Sequence, residues 1–200
     1  GDDHLSNTPK QILLYKAMGW EVPEFAHLPM ILDEEKKKLS KRRSPVSVEE
    51  YDHKGYLPDA MFNFLTLLGF APENNLEVVS KDDLIKMFTF TRVNKSSSVF
   101  DMKKLNWINS EYIRSTPTDK LTIIAKESKY LSDNGIILSN FSDQYISSVI
   151  ELMKERLNTL NDLNDFGGYF FKDPENFDEK GVVKYWNAEI KPLFELFYEE

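Results

Sequence analysis

The chain contains no cysteine. That excludes disulfides, thiolate zinc sites and a cysteine nucleophile, and it fits a reducing compartment. Its three histidines, His4, His27 and His53, are too few for a His-rich metal site. No apolar run approaches the ~18 residues that a bilayer span needs. No signal peptide is visible, and the first residues read as an ordered motif rather than a charged leader. Repeats with a period of roughly 20–50 residues are missing, as are long low-complexity tracts. Positive charge is also in deficit. The 25 Lys and Arg face 33 Asp and Glu, which gives a net charge of -8 and a pI near 5.0. Such a balance argues against non-specific coating of nucleic acid, but it leaves room for a structured basic stripe on an acidic body.

What is present is enough apolar material for a core. Apolar residues make up 41% of the 200, including 14 Phe and 9 Tyr. This is too much for a disordered chain and suits one large or two small domains.

Helical signals dominate. Thr8 and Pro9 suit a helix start and Gly19 a stop. Residues 20–30 are short, apolar and broken by Pro23 and Pro29, with one strand expected in "AHLPMIL", residues 26–32. Ser47 to Glu50 reads as a capping box, with Gly55 ending that helix. Leu57-Pro58 opens another helix, in which Ala60, Met61, Phe64, Leu65 and Leu68 keep helical spacing up to Gly69. Ser80 to Asp83 is a second capping box, leading to Leu84, Ile85, Phe88 and Phe90. Residues 91–99 are polar and Ser-rich, and a loop is expected there. Asp101 caps a helix carrying Met102, Leu105 and Ile108. Thr116-Pro117 leads into Leu121, Ile124 and Ala125. The spacing predicts the longest helix over residues 143–161, with Tyr145, Val149, Leu152, Met153, Arg156, Leu157 and Leu160 at core-like positions. A last amphipathic helix is expected over 184–199. Past residue 45 there is little alternation of period two, so the fold class is mainly α.

Against this acidic background, residues 36–45 read "KKKLSKRRSP". Lysines supply compact positive charge, serine offers a hydroxyl, and Leu39 can anchor such a loop, so the segment is able to surround a polyphosphate. Charge placed where a phosphoryl group develops charge is worth roughly 3 kcal/mol per well-placed donor. Taken alone, the residues better suit a solvated basic loop or a localisation-type run.

The segment resembles the K-M-S-K-S motif of class I aminoacyl-tRNA synthetases, in the K-L-S-K-R form of bacterial-type glutamyl-tRNA synthetases. "GDDHLSNTPKQILLYKAMGW", "FAHLPMIL" and "GYLPDAMFNFLTLLGF" resemble, in order, the adenylate-site segment, the strand before the K-M-S-K-S loop and the helix after it. "VFDMKKLNWINSEYIR" and "ELMKERLNTL" are similar to the stem-contact and first anticodon-binding regions. The resemblance implies the end of a class I α/β nucleotide-binding domain over residues 1–45, a helical stem-contact domain over 46–115 and a first helical anticodon-binding subdomain over 116–200.

The resemblance also implies roles. Lys38 and Lys41 would neutralise the triphosphate as catalytic residues, with Ser40 and Arg42 in the same loop. Asp3, His4 and Ser6 would lie at the ATP, and Mg2+ would accompany the substrate with no protein ligand evident. Lys104, Trp107 and Arg114 would meet tRNA(Glu), and Arg156 would read the third anticodon base. For His4 a helix-entry residue is the competing account, for Trp107 a buried core aromatic, and for Arg156 an ordinary surface arginine. Glutamate and ATP are the implied small-molecule partners, with no membrane, a monomeric state and a cytoplasmic location in a bacterium or an organelle. No H-I-G-H sequence occurs. The expectation is therefore a C-terminal portion of such an enzyme that binds tRNA without aminoacylating alone; a stand-alone tRNA-binding module is the alternative.

Overall fold

The structure is a computed structural model that describes residues 1–39, 47–173 and 176–186, together with Ile190, Pro192, Leu193 and Leu196. α1 (Thr8–Ala17) carries Pro9 in its first turn, where a fixed φ and a missing N–H cost nothing. It is followed by Gly19 at φ +67°, a left-handed exit. Thr8 is not the cap: Asn7 holds that position, and the Thr8 hydroxyl instead meets His27 Nε2 at 2.9 Å and the His4 carbonyl at 3.2 Å. No residue of α1 is buried.

The expected strand shrinks to β1 (Ile31–Leu32). It pairs in parallel with β2 (Ser98–Val99), which lies inside the segment expected to be loop. Local pattern could not show this, because each strand is two residues long and its partner is remote in sequence. Pro29 just before β1 has no N–H to offer a ladder.

α2 (Val48–His53) follows Ser47, but the capping box does not form. The Ser47 hydroxyl donates to Glu49 Oε2 at 3.4 Å instead of accepting from the helix, and the Glu50 N–H is met by the Ser47 carbonyl at 3.2 Å. α3 (Pro58–Gly69) starts at the predicted proline. α4 (Lys81–Met87) is capped as expected, with Ser80 Oγ accepting from the Asp83 N–H at 3.2 Å. It stops before Phe88, whose ψ of 128° is extended, so Phe88 and Phe90 lie beyond the helix and are exposed. α5 (Met102–Ser115) is the longest helix among the described residues. Its cap Asp101 accepts from the N–H groups of Lys103 at 2.8 Å and Lys104 at 3.1 Å.

α6 (Thr118–Lys126), α7 (Lys129–Asp133), α8 (Asp143–Met153), α9 (Asp162–Asp165) and α10 (Glu179–Tyr185) complete the order. The predicted helix over 143–161 is therefore shorter. α8 ends at Met153, a 3-10 turn runs over Lys154–Arg156, and Leu157 is extended at ψ 125°. The reason is chemical. Asp162 Oδ2 accepts from the N–H groups of Asn158 at 2.7 Å and Thr159 at 3.0 Å, and the Leu160 N–H turns to the Gly55 carbonyl at 3.0 Å. Short polar side chains compete in this way with helix continuation. Tyr145 and Leu152, expected inside, are exposed, and Ile146 and Ile150 take the core face of α8. The helix expected over 184–199 falls largely outside the described residues.

One buried cluster unites α2, α3 and α5–α9. Ala60, Met61 and Phe64 of α3 belong to it with Leu105 and Ile108 of α5, and Leu121 and Ala125 of α6 with Ile146, Val149 and Ile150 of α8. Leu157, Leu160 and Leu163 extend it through the turn after α8. Fully burying each such side chain is worth about 1.5–3 kcal/mol. Among the described residues no helix is long and apolar enough to cross a membrane.

Candidate nucleotide and tRNA interfaces

Two clusters of the expected residues can be followed. The first lies at the start of the chain. The Asp2 N–H donates to the Leu28 carbonyl at 3.0 Å, and His27 Nδ1 lies 3.1 Å from the Gly1 carbonyl, so residues 1–4 are laid along residues 27–28. From there the chain runs through β1 into a tight turn. The Asp33 side chain accepts from the Lys37 N–H at 2.8 Å, the Asp33 N–H donates to the Lys37 carbonyl at 2.7 Å, and Lys36 at the apex has φ +60°. The turn folds Lys38 back beside Leu32. Leu39 packs against the main core, which makes it the anchor its apolar character promised.

Lys38 Nζ consequently reaches Asp3, with which it forms an ion pair. This hydrogen bond holds the Asp3 carboxyl below its ordinary value, with desolvation opposing it. His4 is exposed, and its Nδ1 lies 3.5 Å from Asn7 Nδ2. Ser6 is exposed and makes no side-chain hydrogen bond among the described residues. Lys41, Ser40 and Arg42 lie outside the described residues. The arrangement brings one candidate lysine onto the candidate nucleotide segment, where a polyphosphate would have to displace a carboxylate to engage it. Among the described residues no group of three or more His, Asp or Glu is placed to hold a metal ion.

The second cluster is on α5. Lys104, Trp107, Glu111 and Arg114 are spaced three and four apart and share one face. Trp107 is 41% exposed, so the core-aromatic account fails and its ring is available to a partner. Lys104 Nζ pairs with Glu77 Oε1 at 2.7 Å, and Arg114 pairs with Glu111 while also bonding Ser110 Oγ at 3.1 Å. Glu77 is held there from α3. The Asn63 side chain donates to the Glu77 carbonyl at 3.0 Å and accepts from the Val79 N–H at 2.7 Å, and Tyr112 donates to the Val79 carbonyl at 2.6 Å. The face therefore carries its own counter-charges. Glu111 was findable from its i,i+3 spacing to Arg114; Glu77 comes from a distant loop and was not.

Arg156 stands apart from that face, at the end of the 3-10 turn after α8. It is exposed and makes no ion pair or side-chain hydrogen bond among the described residues. A guanidinium that is free and exposed suits contact with a base edge, which it can meet with two parallel donors.

Residues 1–107 match the catalytic domain of tRNA synthetases class I (E and Q), and residues 122–200 match an anticodon binding domain. The chain belongs to the class I tRNA synthetases of this E and Q group. Its similarity narrows further. Over 190 residues it is 45% identical to glutamate–tRNA ligase 1 of Caldanaerobacter subterraneus subsp. tengcongensis, covering 94% of this chain and 39% of that protein. Over 200 residues it is 42% identical to glutamate–tRNA ligase 2 of a Nitratiruptor species, covering 100% of this chain and 41% of that one. The crystal structure of a glutamate tRNA ligase from Elizabethkingia meningosepticum in complex with its amino acid superposes with a TM-score of 0.79 at 36% identity, over 100% of this chain and 42% of that one. The chain thus spans about two fifths of the length of the curated relatives it matches.

Proposed function

We propose that this chain supplies the phosphate-facing turn and the tRNA-contacting helices of an enzyme that activates glutamate with ATP and transfers it to tRNA(Glu). In that reaction a carboxylate attacks the α-phosphate and pyrophosphate leaves, so the protein's task is positioning and neutralising charge. Lys38 and Lys41 neutralise, Ser40 and Arg42 line the same loop, and Asp3, His4 and Ser6 border the nucleotide. Mg2+ travels with the phosphates, as this ion commonly does when one or two protein carboxylates suffice. Lys104 and Arg114 contact tRNA phosphates, which positions the RNA without reading it. Trp107 packs beside them and Arg156 reads the third anticodon base. Residues 1–45, 46–115 and 116–200 serve as catalytic end, stem-contact domain and anticodon-binding subdomain. The enzyme works as a cytoplasmic monomer. The 200 residues include no H-I-G-H sequence, and as an isolated polypeptide they should bind tRNA without supporting ATP–pyrophosphate exchange.

The observation that carries this reading is the convergence of Lys38 on Asp3, which brings together two segments remote in sequence that this reading assigns to the triphosphate. The test is binding of the chain to tRNA(Glu) and to the same tRNA with its third anticodon base changed, at low and moderate salt. Affinity should fall steeply with salt. The unaltered anticodon should be preferred about tenfold, a bidentate contact to a base edge being worth ~1–3 kcal/mol, and Arg156→Gln should remove the preference. Binding with no preference in the wild-type chain would defeat the role given to Arg156.

A further inference from the structure

The turn that replaces the C-terminal end of the expected helix is fastened to the other half of the molecule by side-chain amides. Asn109, on the buried side of α5, is fully enclosed. Its Oδ1 accepts from the Leu57 N–H at 2.8 Å and its Nδ2 donates to the Asn158 carbonyl at 2.5 Å. Asn161, 8% exposed, donates through Nδ2 to the His53 carbonyl at 2.9 Å. The Leu160 N–H donates to the Gly55 carbonyl at 3.0 Å. Asp162 holds the turn from within, through the N–H groups of Asn158 and Thr159. Leu157 and Leu160 fill the core beneath it, at 1% and 2% exposure.

Arg156 is the last residue before this fastened turn, and Asn158 is two residues on. The same α5 that presents Lys104, Trp107 and Arg114 on one side therefore grips, through Asn109 on its other side, the backbone that aims Arg156. A buried amide with both ends satisfied has one geometry and would leave orphaned groups in any other.

We infer that Asn109 is a positioning residue for anticodon selectivity: it fixes the distance and direction from the α5 face to the Arg156 guanidinium, so that phosphate contacts at one end register the base-reading contact at the other. The inference rests on the role proposed for Arg156. Asn161 secures the same turn from the α2 side. Neither amide touches RNA; both act by holding Arg156 in place.

Three measurements test this on the 200-residue chain. In the wild type, hydrogen exchange should find the Leu160 amide as protected as amides in the middle of α5. Exchange at loop-like rates would overturn the clamp without any variant being made. In Asn109→Ala, with Asn161→Ala as a second variant should the first unfold, amides of residues 158–160 should exchange at least about tenfold faster. The preference for the unaltered anticodon should fall by about tenfold, while affinity for the changed tRNA stays within about twofold, because the phosphate-contacting residues are untouched. A variant with a loosened turn and an intact preference would overturn the inference, as would equal loss of affinity for both tRNAs. Preference that survives Arg156→Gln beside a protected turn would instead sink the reading of Arg156, and with it the selectivity assigned to Asn109, while leaving the clamp standing.

Discussion

Lys38 is ion-paired with Asp3, which precedes it by 35 residues, and both side chains remain substantially open to solvent. The pair is the meeting point of the first residues with the basic segment. Because Asp3 is held below its ordinary value of 3.8 by the Lys38 ammonium, the pair is intact above that value and is lost as pH falls through the lowered one. A carboxyl-carbon NMR titration should give Asp3 a midpoint below 3.8, and Lys38→Met should return it toward that value. The melting temperature should hardly move in Lys38→Met, since an exposed pair contributes little to stability. An unchanged Asp3 midpoint in Lys38→Met would show that the two segments do not meet in solution.

Glu77 and Glu111 occupy two of the cations that the α5 face would offer to RNA. Glu77→Gln and Glu111→Gln should each tighten tRNA binding about two- to threefold at low salt, with the gain shrinking as salt rises, because partly exposed pairs are worth little and are screened. Lys104→Ala should weaken binding to the correct and the altered tRNA alike, and should lower the salt slope by about one. Tighter binding confined to one of the two tRNAs would contradict a purely phosphate-facing role for α5.

Part of this arrangement was legible in residue order and part was not. The helix starts at Pro9, Pro58 and Asp101 followed from local chemistry, since a fixed φ or a capping carboxylate acts within one turn. The run over residues 36–45 that includes Lys38 stood out by charge alone. The β1–β2 pairing did not, because two-residue strands carry no period and their partners lie far apart. The break after Arg156 was hidden by apolar spacing that continues through Leu157 and Leu160. Those residues are indeed buried, but by a turn that Asp162 and Gly55 hold in place of a helix. Lys104 and Arg114 were recognisable as cations, while their pairing with acids depended on packing of the loop before α4 and on the helix face.

The tyrosines give a test of the core that requires no variant. Burial pushes the Tyr51 and Tyr112 phenols up to about 12 and raises Tyr56, which also feels Asp162. A folded value raised above the unfolded one means that the stabilisation is complete below ordinary phenol titration near 10 and fades as pH climbs toward 12. Ultraviolet titration should therefore show two phases, with exposed tyrosines ionising first and these three following as the fold opens. A single phase near 10 for all nine tyrosines would mean that the cluster around α3 and α5 is not packed as described.

Gly55 closes the joint between α2 and the turn after α8, and the chain has two separate reasons to need glycine there. Its φ is +79°, and a Cβ would lie 2.7 Å from the Asn161 backbone nitrogen and 2.8 Å from Asn161 Oδ1. Asn161 Oδ1 is itself buried without a hydrogen-bond partner among the described residues, while the other end of its amide bonds the His53 carbonyl. Gly19 provides the control, with φ +67° and nothing within 4 Å of the same position. Gly19→Ala should cost about 1–2 kcal/mol, the conformational penalty alone. Gly55→Ala must also push the Asn161 backbone away, which breaks the Leu160 to Gly55 hydrogen bond, and should cost at least about 2 kcal/mol more. Urea unfolding of the two variants separates the contributions. Equal losses would mean that the turn yields freely at Gly55, so that Arg156 is not held against α5 by a rigid joint.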